Sequence, residues 1–589
     1  MKNRAGNLAL LVFAALLGGG LLVVLSARGP ETSADGPLDV AAMPEGLARD
    51  VASLLDASAP ALDPAPEREV YLAIRSGGRR LAHRWYPLKG DWRAAVAQAM
   101  PKLLAIARKK GGDIAELAGR VDAVEVCLPH DFEDAEVRKR GVLNTRLRGV
   151  KGVRYTHGEI LRRLCPTRMI ASNLSFERAD RDFRRDHDLT MREHLERSRA
   201  EIFDAHQLLL TLGDEPRVIP MFRGNQVVPM DAVSREGTIA LAEGMGRWLT
   251  HSLQPDGRMV YMYYPSSGRE SSSNNMIRQF MASVALVRLS NYRDDPELAK
   301  AALRNYRYNL RKFYRDQGEV GVITFRNKAK LGSAALAALG IVEAPFRDEL
   351  AEYERRLVAM TDSMLQPDGS FHTFYGSSRN DNHNFYPGEA LLLWAHLMEK
   401  QPDPDRLRRF MRAFEYYRQW HRENTNPAFI PWHTQAYYMV WKQTKNEQLE
   451  DFVFEMNDFL CDFQQWDSAR YPDERGRFFD PERRNFGPPH ASSTGVYLEG
   501  LIDAYRLARD VGDERRAKRY REAMRRGIRS LMQVQFTDEV DTFYISNKDQ
   551  VMGGVRTTVY NNVIRVDNVQ HSLMGLMKLI PIFDHDGAW

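Results

Sequence analysis

Glu389 and Glu499 are carboxylates set into the openings of two otherwise apolar stretches, "NFYPGEALLLW" and "HASSTGVYLEGL". Two such groups facing each other could protonate a glycosidic oxygen and activate a water, with Asp567 as a substitute for the base. His571 lies four residues after Asp567, on the same helical face, and His433 opens "WHTQAYYMVWKQT"; both offer imidazoles able to move a proton near neutral pH. These five are the candidate catalytic residues. Binding chemistry surrounds them. Asn274, Lys328, Asn384 and Arg565 could neutralise an acidic ligand, Tyr386, Trp432 and Tyr497 could stack on a ring, and Gln435 and His490 could hydrogen-bond one. Each also has a plainer role: the aromatics as core, the helix-start histidines as polar caps, Asp567 and His571 as a pair that stabilises its own helix.

A repeat must bring these residues together. From about Ser234 to Phe583, helices charged on one face begin near Ser234, Pro296, Pro345, Asp403, Lys445 and Asp513. Each is followed by a segment apolar nearly all round, in order "NNMIRQFMASVALVRLS", "NKAKLGSAALAALGIVE", "NFYPGEALLLWAHLMEK", "WHTQAYYMVWKQT", "HASSTGVYLEGLIDAYRLA" and "DNVQHSLMGLMKLIPIF". A helix apolar on all sides is buried on all sides, so the pattern predicts six outer and six inner helices, an (α/α)6 toroid over residues 231–585. Long outer-to-inner links place the site at the N-terminal ends of the inner helices. The repeated "QPDG" reads as a turn. When the inner helices are aligned on their small residues, Gln279, Ser333, Glu389, Gln435, Glu499 and His571 fall at one level. Asn274, Lys328, Tyr386, Trp432 with His433, Tyr497 and Asp567 fall one turn nearer the rim. So many polar groups argue against a dry axis, since each buried without a partner costs about 1–3 kcal/mol.

The six-hairpin layout, with "NFYPGEALLLW", "HASSTGVYLEGL" and "DNVQHSLMGL" opening inner helices, resembles the (α/α)6-toroid carbohydrate-active enzymes. That group comprises glycoside hydrolases, uronan lyases, N-acylglucosamine 2-epimerases and the C-terminal part of glucuronyl C5-epimerases. The resemblance implies a polysaccharide or oligosaccharide bound across the rim. Three readings follow. In a hydrolase, Glu389 acts as acid and Glu499 as base; inner axes about 10 Å apart put their helices about 17 Å apart, within reach of two inward side chains. In a polyuronate lyase or C5-epimerase, the cations and amides hold the sugar carboxylate while His433, His571, Tyr386 or Tyr497 moves the proton. In the third, the toroid is a non-catalytic glycan-binding part of an export or assembly machine, whose proteins would be its partners.

The rest of the chain sets the context. The 589 residues carry 83 basic and 78 acidic side chains, and a net charge of +5 gives no polycationic signature of nucleic-acid binding. Residues 1–28 place Lys2 and Arg4 before an uncharged run from Leu8 to Ala27, which reads as a signal anchor or signal peptide. As an uncleaved anchor it predicts a single-pass membrane protein with its body in the periplasm or outside the cell. Residues 29–66 read as a flexible linker. Residues 67–230 read as a smaller α/β domain, with "REVYLAI" and "VDAVEVCL" as strands, "DWRAAVAQAMPKLLAIARKKGG" and "MREHLERSRAEIFDAHQLLLTLG" as helices. No metal site, nucleotide loop or other cofactor motif is expected. Of the three cysteines, Cys127 and Cys165 could form a disulfide, and Cys461 reads as a buried, inert thiol.

Overall fold

The computed structural model describes residues 45–109, 120–135, 145–213 and 215–589. The expected anchor, residues 1–28, lies outside them, as does the linker up to residue 44. Among the described residues no helix is long and apolar enough to cross a membrane, which overturns the single-pass membrane placement. The second part of the expected linker is a helix, Glu45–Ser58. Its Leu47, Val51 and Leu55, four apart, are buried against the helix Trp92–Arg108.

The N-terminal part is built on an antiparallel sheet of seven strands: β1 (Glu69–Ser76), β2 (Arg79–Pro87), β3 (Ala123–Ala135), β4 (Gly152–His157), β5 (Ile160–Leu164), β6 (Ser198–Thr211) and β7 (Arg217–Met221). Their order is β2-β1-β3-β6-β4-β5, with β7 also pairing β6. The segment read as one helix from Met191 is instead a short helix, Met191–Arg197, closed by a Thr190–Glu193 capping box, followed by β6. β6 lacks alternation because both its faces are covered: Leu208 and Leu210 pack with the helix Trp92–Arg108, and Leu209 packs on Val540 and Phe543 from the toroid. Cys127 and Cys165 are buried free thiols rather than a disulfide, and Cys461 is only partly buried, its thiol pushed up to about 12 by burial.

Twelve helices form the toroid. The outer ones are α1 (Arg235–His251), α3 (Pro296–Phe313), α5 (Ala351–Ser363), α7 (Pro404–Glu423), α9 (Glu447–Asp462) and α11 (Glu514–Val534). The inner ones are α2 (Met276–Arg293), α4 (Leu331–Glu343), α6 (Tyr386–Lys400), α8 (Ile430–Thr444), α10 (Ala491–Asp510) and α12 (Val566–Asp586). Each inner helix touches the next, and α12 returns to α2, so the ring closes. Ser234, Asp295, Asp403 and Asp513 cap the outer helices they precede. The "QPDG" turns fasten the rim loops. Gly257 and Gly369 adopt φ +93° and +94°, and a Cβ there would lie 2.5 Å from the carbonyl oxygens of Arg304 and Arg412 on the next outer helix; only glycine satisfies both demands.

The two parts dock through the rim loops before α10 and α12. Arg223, 2% exposed, donates to Asp473 at 2.6 Å and to the carbonyls of Arg146 and Arg148 at 2.5 and 2.8 Å. Arg148 donates to the Tyr560 carbonyl at 2.8 Å. At the β1–β2 turn, a Cβ on Gly78 would meet the Ile545 carbonyl oxygen at 2.1 Å.

Candidate functional site

Closure of the ring assembles the N-terminal mouth. Strand β8 (Met262–Tyr264), in the loop before α2, pairs with β9 (Asn561–Arg565), which leads into α12. This brings Arg278 from the first inner helix to Asp567 on the last, at 2.8 Å. Arg565 holds the same carboxylate through two hydrogen bonds. Burial would raise Asp567, but the Arg565 hydrogen bond and the Arg278 charge outweigh it and hold the carboxyl below its ordinary value. Asp567 is thus an ionised anchor for two arginines and a poor base. His490, the residue before α10, faces this cluster; burial and then Arg565 push it down to about 4, so its imidazole is neutral. Its Nδ1 finds no hydrogen-bond partner among the described residues.

Glu389 sits differently. It is 3% exposed, and its Oε2 has no hydrogen-bond partner among the described residues. A Cβ on Gly332 of α4 would lie 1.7 Å from that oxygen, so the niche exists because α4 carries glycine there. Burial raises the carboxyl to about 8, against a weaker lowering by Lys330. Lys330 ends the loop before α4, its ammonium 5.6 Å from the Tyr386 ring centre, and burial lowers its pKa. The mouth therefore holds one acid protonated at neutral pH and one ionised, the separation that divides acid from base duties.

Glu499 and His571 form a pair across α10 and α12, with His571 Nδ1 2.8 Å from Glu499 Oε1. Arg288 approaches the other Glu499 oxygen at 3.7 Å. His571 is the partly exposed member, its side chain 14% accessible, and Trp432 stands edge-on to it with ring centres 5.9 Å apart.

The remaining candidates scatter. His433, fully buried, stacks on Phe429 at 3.4 Å between α7 and α8 and donates from Nδ1 to the Phe429 carbonyl at 2.9 Å; burial pushes it down to about 3. It is off the axis. Lys328 is exposed on a two-residue strand paired with Phe325, and Lys330 takes the position expected of it. Asn274 accepts from Gln279 at 2.9 Å, which props the loop before α2. Asn384 is partly exposed at the rim, its Oδ1 without a partner among the described residues. Tyr386 packs on Phe374 and Tyr497 on Phe478, both rings buried. Gln435 faces the other end of the axis, where its Oε1 accepts from Lys578 at 3.4 Å. Arg278, Lys330 and Arg288 went unread in the sequence: nothing local marks a cation that acts on a neighbouring helix.

The axial cavity at that other end, about 460 Å3, lies among the C-terminal halves of the inner helices. Its charges are paired with one another, whereas Glu389 and Glu499, nearer the N-terminal mouth, each keep one buried oxygen without a hydrogen-bond partner among the described residues.

No protein-family profile matches the chain, and no curated sequence relative does. Solved structures share the helical layout. A heparin-specific unsaturated glucuronyl hydrolase is similar at 12% identity, over 60% of this chain and 99% of its own, with a TM-score of 0.44. A D-mannose isomerase is similar at 12%, over 59% and 98%, with a TM-score of 0.45. An inactive variant of an α-1,6-mannanase from Salegentibacter sp. HEL1_6, in complex with α-1,6-mannotriose, is similar at 9%, over 58% and 98%, with a TM-score of 0.43. The likeness is architectural.

Proposed function

We propose that the chain is a carbohydrate-processing enzyme, most simply a glycan hydrolase, working at the N-terminal mouth of the toroid. The observation that carries this reading is Glu389: a buried carboxyl, protonated at neutral pH, with one oxygen unpaired. A proton held ready at pH 7 is what a glycosidic oxygen needs in order to leave. His571 is the base. Donation from Nδ1 to Glu499 fixes the tautomer and leaves Nε2 with a lone pair for a water, so Glu499 orients the imidazole rather than attacking water itself. Trp432, beside His571, supplies an apolar edge for a sugar ring. Arg278, Arg565 and Lys330 outnumber Asp567 in this part of the mouth, which favours a glycan carrying acidic groups.

One feature favours a second reading. An imidazole base opposite a carboxylic acid also suits removal and return of a proton at the carbon next to a uronate carboxylate, the chemistry of a lyase or C5-epimerase. NMR of the protein with neutral and acidic polysaccharides in heavy water separates the two. New reducing ends establish hydrolysis, olefinic signals a lyase, and deuterium at C5 without cleavage an epimerase. Polymers that broaden on binding yet stay unchanged would establish a glycan-binding protein and sink the enzyme reading. An active Glu389→Gln variant would remove Glu389 from its role.

A further inference from the structure

All six inner helices contribute side chains to the C-terminal cavity, and its volume of about 460 Å3 falls in the range of small-molecule sites, about 300–1,000 Å3. One wall is apolar, built from Leu392, Met439, Met574 and Met577 with the Tyr438 ring. The rest is polar, with the amides of Asn291 and Gln435 among charged groups, and each acid or base has its counterpart within the wall or directly behind it. Arg288 donates to both oxygens of Glu343 at 2.8 Å. Lys578 pairs with Asp503 and donates to the Glu499 carbonyl at 3.1 Å. Lys442 meets Glu399 at 3.3 Å, Arg506 meets Asp503 at 3.4 Å, and the Tyr438 hydroxyl donates to Asp510 at 2.9 Å.

That pattern selects a ligand. A charged molecule would have to break one of these pairs and leave its partner buried alone, which is strongly unfavourable. A neutral one leaves them intact and uses what they have spare: carboxylates accept more hydrogen bonds than one cation supplies, and Arg288 Nη1, which donates to the weak acceptor Met574 Sδ at 3.5 Å, can exchange it for a hydroxyl. A ligand with a flat C–H face for the methionines and a rim of hydroxyls for the ion pairs fits both walls. We propose that this cavity binds a small neutral saccharide, with its ring against Met439, Met574 and Met577 and its hydroxyls on the Arg288–Glu343 and Lys578–Asp503 pairs. The binding does not require the catalytic reading of the opposite mouth, although Arg288, which approaches Glu499 there at 3.7 Å, also lines this cavity.

The test uses the full chain labelled at the methionine methyl groups with carbon-13, titrated to millimolar concentration with glucose, mannose, N-acetylglucosamine and maltose, and with glucuronate as the charged control. Conservative Met→Leu variants at 439, 574 and 577 assign the three cavity signals. The expected result is a saturable shift of those signals with at least one neutral sugar. Binding should be unchanged in Glu389→Gln, at least tenfold weaker in Met577→Trp, which fills the cavity, and at least tenfold weaker for glucuronate. Should Met577→Trp not fold, Leu392→Phe narrows the same wall. No shift with any neutral sugar, shifts that survive a filled cavity, loss of binding in Glu389→Gln, or glucuronate binding as well as the neutral sugars would each overturn the proposal.

Discussion

Replacing Glu389 by Gln separates what this residue does for activity from what it does for stability. In the unfolded chain a glutamate titrates near 4.5; in the fold Glu389 is raised to about 8 by burial. The folded state therefore binds the proton more tightly. The favourable contribution is full below pH 4.5 and is lost as pH rises toward 8. With these two values the loss is about 1 kcal/mol at pH 5 and about 4 kcal/mol at pH 8. Glutamine keeps the shape of the protonated acid and has no charge to bury, so the variant escapes the loss. Urea unfolding of both proteins at pH 5 and pH 8 should show the variant gaining about 3 kcal/mol on the wild type between the two pH values. The same substitution should lower kcat/KM by about 100- to 10,000-fold, and wild-type activity should fall above a midpoint near pH 8. If the stability difference stays constant across that range, Glu389 is ionised in the fold and the proton-donor argument collapses.

Three further substitutions probe other links. Gly332→Ala places a methyl group 1.7 Å from Glu389 Oε2 and 2.7 Å from the Tyr386 ring; both side chains must give way, the fold should survive at a cost of about 1–3 kcal/mol, and activity should drop at least tenfold, whereas full activity would show that the niche is unimportant. His571→Gln should cut kcat by about 100- to 10,000-fold, and a kcat like that of the wild type would assign the base elsewhere. Arg223→Met leaves Asp473, 3% exposed, without its cation, and should cost about 3–5 kcal/mol and expose the contact between the sheet domain and the toroid to proteolysis; a protease pattern like that of the wild type would place the docking energy in other contacts.

The toroid was legible because burial on all sides leaves a helix no polar face, and because Ser234, Asp403 and Asp513 mark helix starts that the structure keeps. Glu389 and Glu499 stood out as carboxylates inside such helices. Their partners did not, for reasons of geometry. Trp432 and His433 are adjacent and so point about 100° apart around the helix; with Trp432 at His571, His433 had to turn toward α7. Gln435, one turn deeper, meets the opposite cavity. Lys330 was passed over for Lys328 because the loop's path, which decides which lysine faces α6, is not written in hydrophobic periodicity. β6 was read as helix because a strand covered on both faces shows no alternation.

The glycines of the rim turns carry a consequence for how such a mouth can change. Gly257 and Gly369 pin the root of each loop beneath a neighbouring helix carbonyl, and Gly476 does the same beneath Arg526 at φ +90°. Buried side chains hold the residues just beyond, Met259, Phe371 and Phe478 among them. The exposed tips above them, 266–270, 376–381 and 481–483, can be lengthened, shortened or exchanged while the hairpin below stays seated, so the ring acts as a socket that accepts different collars. Novelty in what the mouth grips can arise by loop exchange alone, with the twelve helices as a constant chassis.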